Sequence, residues 1–278
     1  MIIPELRVGN RQIALADHLQ DSDTRGLIWL WEAPIASANY VIACDPSYGV
    51  AGWDRALRKE GDEETDNCAI EVLRVGTRGA PDIQVAEYAA PIDPEDAAIV
   101  VNFLGRMYAG AGDDGQALAI VEVHPGPGLM TQRDLVNRFN YTNLFVWQHL
   151  DSMNIQATQS YGWYSSRQSR QMLWIRGTRH INKRRVVINS PALIEEMTDC
   201  KPDNFQSFTA RAQWGSHDDR VVATLLAIWA ANQWNDDNPP EEAAKPERVD
   251  APDYQRSDCT YEEMLVSWDE RMSSYRGE

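Results

Sequence analysis

Membrane-spanning length is the first thing these 278 residues lack. No stretch approaches the ~20 apolar residues of a span, and no basic region followed by an apolar core opens the chain. Both absences predict a protein that neither crosses a membrane nor is secreted. Cysteine is scarce too: Cys44, Cys68, Cys200 and Cys259 are widely spaced and form no C-x-x-C pair. That spacing argues against a zinc knuckle or a disulfide framework and predicts reduced thiols in a cytoplasm. Positive charge is short, with 26 Lys+Arg against 42 Asp+Glu and a formal net charge of -16. Such a balance argues against a general nucleic-acid coat protein, which holds phosphates on a basic surface. The deficit is uneven, however. The segment after Asn235 carries 13 acidic and 5 basic residues, so about half of the excess lies in a tail and the field of the body differs from the global sign.

What is present suffices for one sizeable core, since 43% of the residues are hydrophobic. Three parts are predicted: a linker-like lead-in at 1–38, a main domain at 39–235 and an acidic, partly disordered tail at 236–278. The lead-in mixes polar and apolar residues without a sustained period until the apolar stretch at 27–34. Residues 40–44 form a short apolar run ending in Asp45 and Pro46, which reads as a buried strand with a carboxylate at its C-terminal end. A Gly- and charge-rich stretch at 47–65 predicts a long loop. Two β-rich runs, 68–75 and 83–88, flank a turn signal and predict a hairpin. Helical spacing covers 94–108, with Pro94 near the first turn. Residues 117–121 predict a second buried strand that delivers Glu122 at its end. Helices follow at 129–139 and 165–177 with a strand at 143–147 between them. Beyond these come a short strand at 186–188, a short helix at 191–197, an edge strand at 205–213, a long apolar helix at 217–234 and a short acidic amphipathic helix at 261–272. Early antiparallel strands followed by alternating helices and strands predict an α/β fold, with a mixed sheet of five or more strands flanked by helices.

Three acidic sites stand out in this frame. Asp45 and Glu122 both follow apolar strands, and parallel neighbours would set both acids on one rim of the sheet. Asp218 and Asp219 open the last long helix, which is able to cross the sheet to the same rim. Carboxylates gathered from separate elements are what two-metal phosphodiester hydrolysis requires. Each acid also has an ordinary role available: Asp45 suits a turn before Pro46, and acids at a helix start favour its dipole. Glu122 is the hardest to explain as surface, because a carboxylate closing an apolar strand needs a partner or a metal.

The order of short motifs resembles the nuclease domain of phage terminase large subunits. The motifs are WEAP at 31–34, YVIACDP at 40–46, Asp66 opening a strand, VEVHPGPG at 121–128, Gly162 and Trp163 before an Arg-rich helix, and His217, Asp218 and Asp219 leading into Val221. The match spans roughly residues 27 to 234, and its specificity lies in the ordered combination. It implies a ribonuclease H-like fold, two Mg²⁺ or Mn²⁺ ions held by Asp45, Glu122 and either Asp218 or Asp219, and cleavage of double-stranded viral DNA during genome packaging in the cytoplasm of a bacterial host. Asp66 and His217 are accessory candidates. Two departures stand beside the likeness. The chain contains no G-x-x-x-x-G-K-[ST], so ATP hydrolysis is not assigned to it, and a separate terminase ATPase subunit, a portal or a small terminase is the expected partner. A split-gene subunit, an excised domain and a remnant all fit that absence. The 47–65 loop is also longer than the family's compact turn, which sets Asp66 apart.

Basic residues concentrate between Arg133 and Arg185, where only Asp134 and Asp151 oppose them. Arg167, Arg170, Arg176, Arg179, Lys183, Arg184 and Arg185 form the expected DNA-binding face, with residues 183–185 projecting beside the active site. Two other functions share these features: a resolvase- or transposase-like nuclease of the same fold, and a non-catalytic packaging module that docks DNA or a portal.

Overall fold

Alternation along a strand divides residues 40–45 between two cores. Ile42 and Cys44 join one cluster with Val101 and Leu104, while Val41 and Ala43 join another with Leu225 and Leu226. A strand apolar on both sides needs cover on both faces, and helices provide it. The computed structural model describes residues 5–8, 11–14, 27–49, 67–77, 79–123, 126–150, 157–202, 210–212 and 218–237.

Six strands come first: β1 (Glu5–Val8), β2 (Arg11–Ala14), β3 (Leu27–Leu30), β4 (Tyr40–Asp45), β5 (Cys68–Arg74) and β6 (Asp82–Ala90). Helix α1 (Pro94–Met107), β7 (Leu118–Val123), α2 (Pro127–Asn137), β8 (Val146–Leu150), β9 (Ala157–Tyr161), β10 (Trp163–Tyr164) and α3 (Arg167–Asn182) follow. The described part closes with β11 (Val186–Val187), α4 (Pro191–Asp199), β12 (Cys200–Pro202), β13 (Ala210–Ala212) and α5 (Asp219–Asp237). A 9-stranded sheet runs in the order β10-β7-β4-β5-β6-β3-β1-β2, with β11 added beside β6. At its centre β4, β5 and β6 are antiparallel neighbours, and β7 and then β10 continue parallel to β4. This mixed order, covered by α1 and α2 on one face and by α3, α4 and α5 on the other, is compatible with a ribonuclease H-like α/β fold.

Several elements depart from the sequence pattern. Residues before 38 show no sustained period, yet β3 pairs with β6 and β1 with β3, because backbone hydrogen bonding extends a sheet edge without an alternating side-chain code. The strand expected at 143–147 starts later, at Val146, and Leu144 makes only an isolated bridge to Ala119. The edge strand expected at 205–213 is described only at 210–212, where it pairs with β12 off the main sheet; residues 205–209 lie outside the described residues. Helix α3 runs past Gly177 to Asn182. Gly177 marks a helix crossing rather than a terminus, since a Cβ there would stand 2.1 Å from Leu225 Cδ2.

Helix α5 lies against β4, β5 and β7. Val221, Val222, Leu225, Leu226 and Ile228 are all at most 2% exposed, and each such side chain contributes on the order of 2 kcal/mol through burial. Among the described residues no helix is long and apolar enough to cross a membrane.

Charged groups also lie beneath α5. Ala43, Glu71 and Glu87 share one rung across β4, β5 and β6, and both glutamates are buried. Gln84 Nε2 donates to Glu71 Oε2 at 2.7 Å and to Glu87 Oε2 at 3.4 Å, while Gln84 Oε1 accepts from the Asn189 and Ser190 amides. Among the described residues Glu71 Oε1 has no hydrogen-bond partner. Burial first, and then the Glu87 charge, push the Glu71 carboxyl well above the ordinary carboxylate range. A pKa raised on folding gives a stabilising contribution that is complete below the unfolded value and is lost as pH rises through the folded value. Glu71→Gln removes that loss. In urea titrations at stepped pH, the variant should match the wild type within about 1 kcal/mol in acid and become the more stable of the two as pH rises.

Candidate active site

Strands β4 and β7 run parallel with Ala43 opposite Ile120 and Cys44 opposite Val121. Asp45 and Glu122 occupy the next rung, and both fall on the α5 face because Ala43 and Ile120 do. Glu122 lies within β7 rather than at its end; Val123 follows, and Trp163 of β10 pairs with Glu122. Asp219 is the first residue of α5, is buried, and accepts the Asn67 backbone N–H at 3.3 Å. Three carboxylates from β4, β7 and α5 therefore meet at one edge of the sheet.

Their electrostatics show how close they are. The Asp45 carboxyl is held well above the carboxylate range by burial, then by the Glu122 charge and a hydrogen bond with Glu122, then by Asp219; Arg170 opposes the shift. Carboxyls this close disfavour each other's charged form, a crowding that a bound cation would relieve. Asp218 has a different neighbourhood. Its carbonyl accepts from Val222 N–H at 2.9 Å, and its charge acts on Cys200, whose thiol burial pushes up to about 12. Of the two aspartates left open by the sequence, Asp219 faces Asp45. Asp66 and His217 lie outside the described residues.

The surroundings orient this set. Ser165 Oγ donates to Glu122 Oε1 and sits just ahead of α3, whose start is closed by reciprocal bonds between Ser166 and Ser169. Gly128 lets the first turn of α2 press on the Glu122 backbone; a Cβ there would stand 2.0 Å from the Glu122 carbonyl oxygen. Arg220 anchors the first turn of α5. Its Nε donates to Glu87 Oε1 at 3.1 Å, its Nη1 to Glu196 Oε1, and its backbone N–H to Glu196 Oε2 at 3.0 Å. Among the described residues no group of three or more His, Cys, Asp and Glu is arranged to hold a metal ion. The donor chemistry of Asp45, Glu122 and Asp219 nevertheless fits a hard cation, because all their donor atoms are carboxylate oxygens.

The expected basic face is divided. Arg167 and Arg170 stand in the first turn of α3, near the carboxylates. Helix α3 then covers 16 residues, about 24 Å at the usual rise. Beyond it, Val186 pairs with Asp82 at the start of β6, the edge where β4 begins. Lys183, Arg184 and Arg185 thus sit at the opposite edge from Asp45 and not beside the acids, because the helix does not stop at Gly177.

Sequence reasoning overlooked Ser165, Asn67 and Arg220. The first two carry no local signal, since a serine and a backbone amide are ordinary until the fold aims them. Arg220 did carry one, as the lone cation opening an otherwise apolar helix. Arg220→Met should cost about 3–5 kcal/mol in urea unfolding, because the buried Glu87 and Glu196 lose their cation, and Arg220→Lys should recover part of that loss. The chain matches no protein-family model and no curated protein.

Proposed function

We propose that this chain is a divalent-metal-dependent nuclease that hydrolyses phosphodiester bonds of double-stranded viral DNA during genome packaging. The observation that carries the reading is the convergence of Asp45, Glu122 and Asp219 from three elements on one rim, with the first two in hydrogen-bonding contact. The packaging context rests on the ordered motif resemblance, which also makes a terminase ATPase, a portal or a small terminase the partners to expect.

Asp45, Glu122 and Asp219 would hold two Mg²⁺ or Mn²⁺ ions. Ions bound there would supply the activation of a water and the charge stabilisation of the leaving oxygen. The chain's own side chains orient and neutralise. Ser165 directs the Glu122 carboxylate, and Asn67 together with the Arg220 anchor sets Asp219. Arg170, close enough to act on Asp45, holds a phosphate beside the scissile bond, and Arg167 one turn earlier holds the next. Phosphate contacts of this kind position a duplex without reading its bases.

Plasmid nicking with Mg²⁺ or Mn²⁺ tests the reading. Asp45→Asn, Glu122→Gln and Asp219→Asn should each slow cleavage by at least about a hundredfold, whereas Asp218→Asn should stay within about threefold. Wild-type protein that leaves plasmid intact with either metal, or an Asp45→Asn variant that nicks at the wild-type rate, would overturn it. In duplex binding by the Asp45→Asn protein, Arg170→Gln should lower the slope of log affinity against log salt by about 0.9, the share of one phosphate contact.

A further inference from the structure

At the edge of the sheet opposite the carboxylates, α3 and α5 enclose a cleft of about 400 Å³. Its floor is apolar: Met172 and Ile175 are each 40% exposed, and Trp229 lies behind them. Its rim is cationic. The Arg176 guanidinium lies 4.6 Å over the Trp229 ring, and Arg179, Lys183 and Arg185 complete the lining. Among the described residues no carboxylate pairs with Arg179, Lys183 or Arg185. The cleft is also built in advance. His180 Nε2 lies 2.9 Å from Asp82 Oδ2 and 3.0 Å from the Arg185 carbonyl, and His180 Nδ1 lies 3.3 Å from Asn232 Nδ2, so one ring ties α3 to β6 and α5.

Arg179, Lys183 and Arg185, without a carboxylate partner among the described residues of a chain of net charge -16, suit an anionic occupant. A nucleic-acid backbone satisfies the rim but offers little to Met172 and Ile175. A peptide bearing both carboxylates and apolar side chains satisfies rim and floor together, as exposed apolar patches with polar rims do at protein interfaces. This chain contains such a peptide. Residues 261–270 read YEEMLVSWDE and set Met264, Leu265 and Trp268 among Glu262, Glu263, Asp269 and Glu270. Residues 238–278 lie outside the described residues; what bears on the cleft is their sequence and their point of departure. Asn232 of α5 lines the cleft and α5 ends at Asp237. Roughly two dozen residues then precede Tyr261, a contour of up to ~80 Å, which is ample for a return to the same face.

We propose that the cleft between α3 and α5 is the docking site for this chain's own acidic segment 261–270. Its apolar side chains seat on Met172, Ile175 and Trp229, and its carboxylates face Arg179, Lys183 and Arg185. The proposal does not depend on the nuclease reading, because it uses neither the carboxylate site nor catalysis.

The test uses the full chain with the photo-crosslinking residue p-benzoylphenylalanine in place of Ile175, an exposed position. After irradiation and proteolysis, mass spectrometry should locate adducts within residues 258–272 of the same monomer. Lys183→Glu with Arg185→Glu, both at exposed positions, should lower the yield about fivefold, and adding Glu262→Lys with Glu263→Lys should restore it. Trp268→Ala, which leaves the cleft untouched, should lower the yield as well. Adducts elsewhere in the chain, covalent dimers revealing a second copy, adducts formed only on added duplex DNA, or a yield indifferent to charge reversal would each overturn the proposal.

Discussion

The seating of α5 on the sheet is the constraint on which the rest depends. The helix buries nearly its whole circumference over β4, β5 and β7, so the second core exists only when it is in place. Burial by apolar side chains alone leaves a helix free to slide by small amounts, since the hydrophobic effect is non-directional. Arg220 adds direction. Its bonds to Glu87 on β6 and Glu196 on α4 fix where the helix begins, and the neighbouring Asp219 inherits that position. One partly buried cation thus links the stability of the domain to the geometry of its acidic edge.

Two groups of buried acids lie on this face and differ in how their charge is met. Glu87 and Glu196 share Arg220, and Glu71 is held by Gln84, so each belongs to an internal network. At the rim, Asp45 and Glu122 meet each other and Asp219, with Arg170 the cation that opposes the crowding at Asp45. Like charges gathered at one place are costly, and sites that persist in this condition are where binding and catalysis concentrate. The rim also lies at the C-terminal ends of parallel strands, the customary place for ligands in open α/β sheets. The contrast explains why a glutamate within an apolar strand is by itself ambiguous. Glu71, Glu87 and Glu122 look alike in the chain, and only Glu122 stands beside other acids at a rim.

Positive charge is likewise partitioned. A single basic region in the sequence becomes two sites toward opposite ends of a helix about 24 Å long, because α3 spans the sheet from the carboxylate edge to the start of β6. Arg167 and Arg170 belong to the acidic rim, whereas Arg179, Lys183 and Arg185 border a cleft with an apolar floor. Proximity in sequence grouped residues that the helix separates.

Local pattern determined a good deal here. The apolar runs at 40–44 and 117–121, the hairpin around 76–81, and the helices opening at Pro94, Pro191 and Asp219 were legible because periodicity, proline at helix starts and turn residues act over a few residues. Asp45 and Glu122 were legible as candidates for the same reason, as carboxylates set against apolar strands. Tertiary structure alone decided the rest. The strands before residue 38 depend on backbone pairing outward from β6 through β3, the role of Gly177 depends on Leu225 across a helix crossing, and the distinction between Asp218 and Asp219 depends on how the start of α5 is set against the sheet. Each of these is set by contacts between residues far apart in the chain, and a local reading carries no information about such contacts.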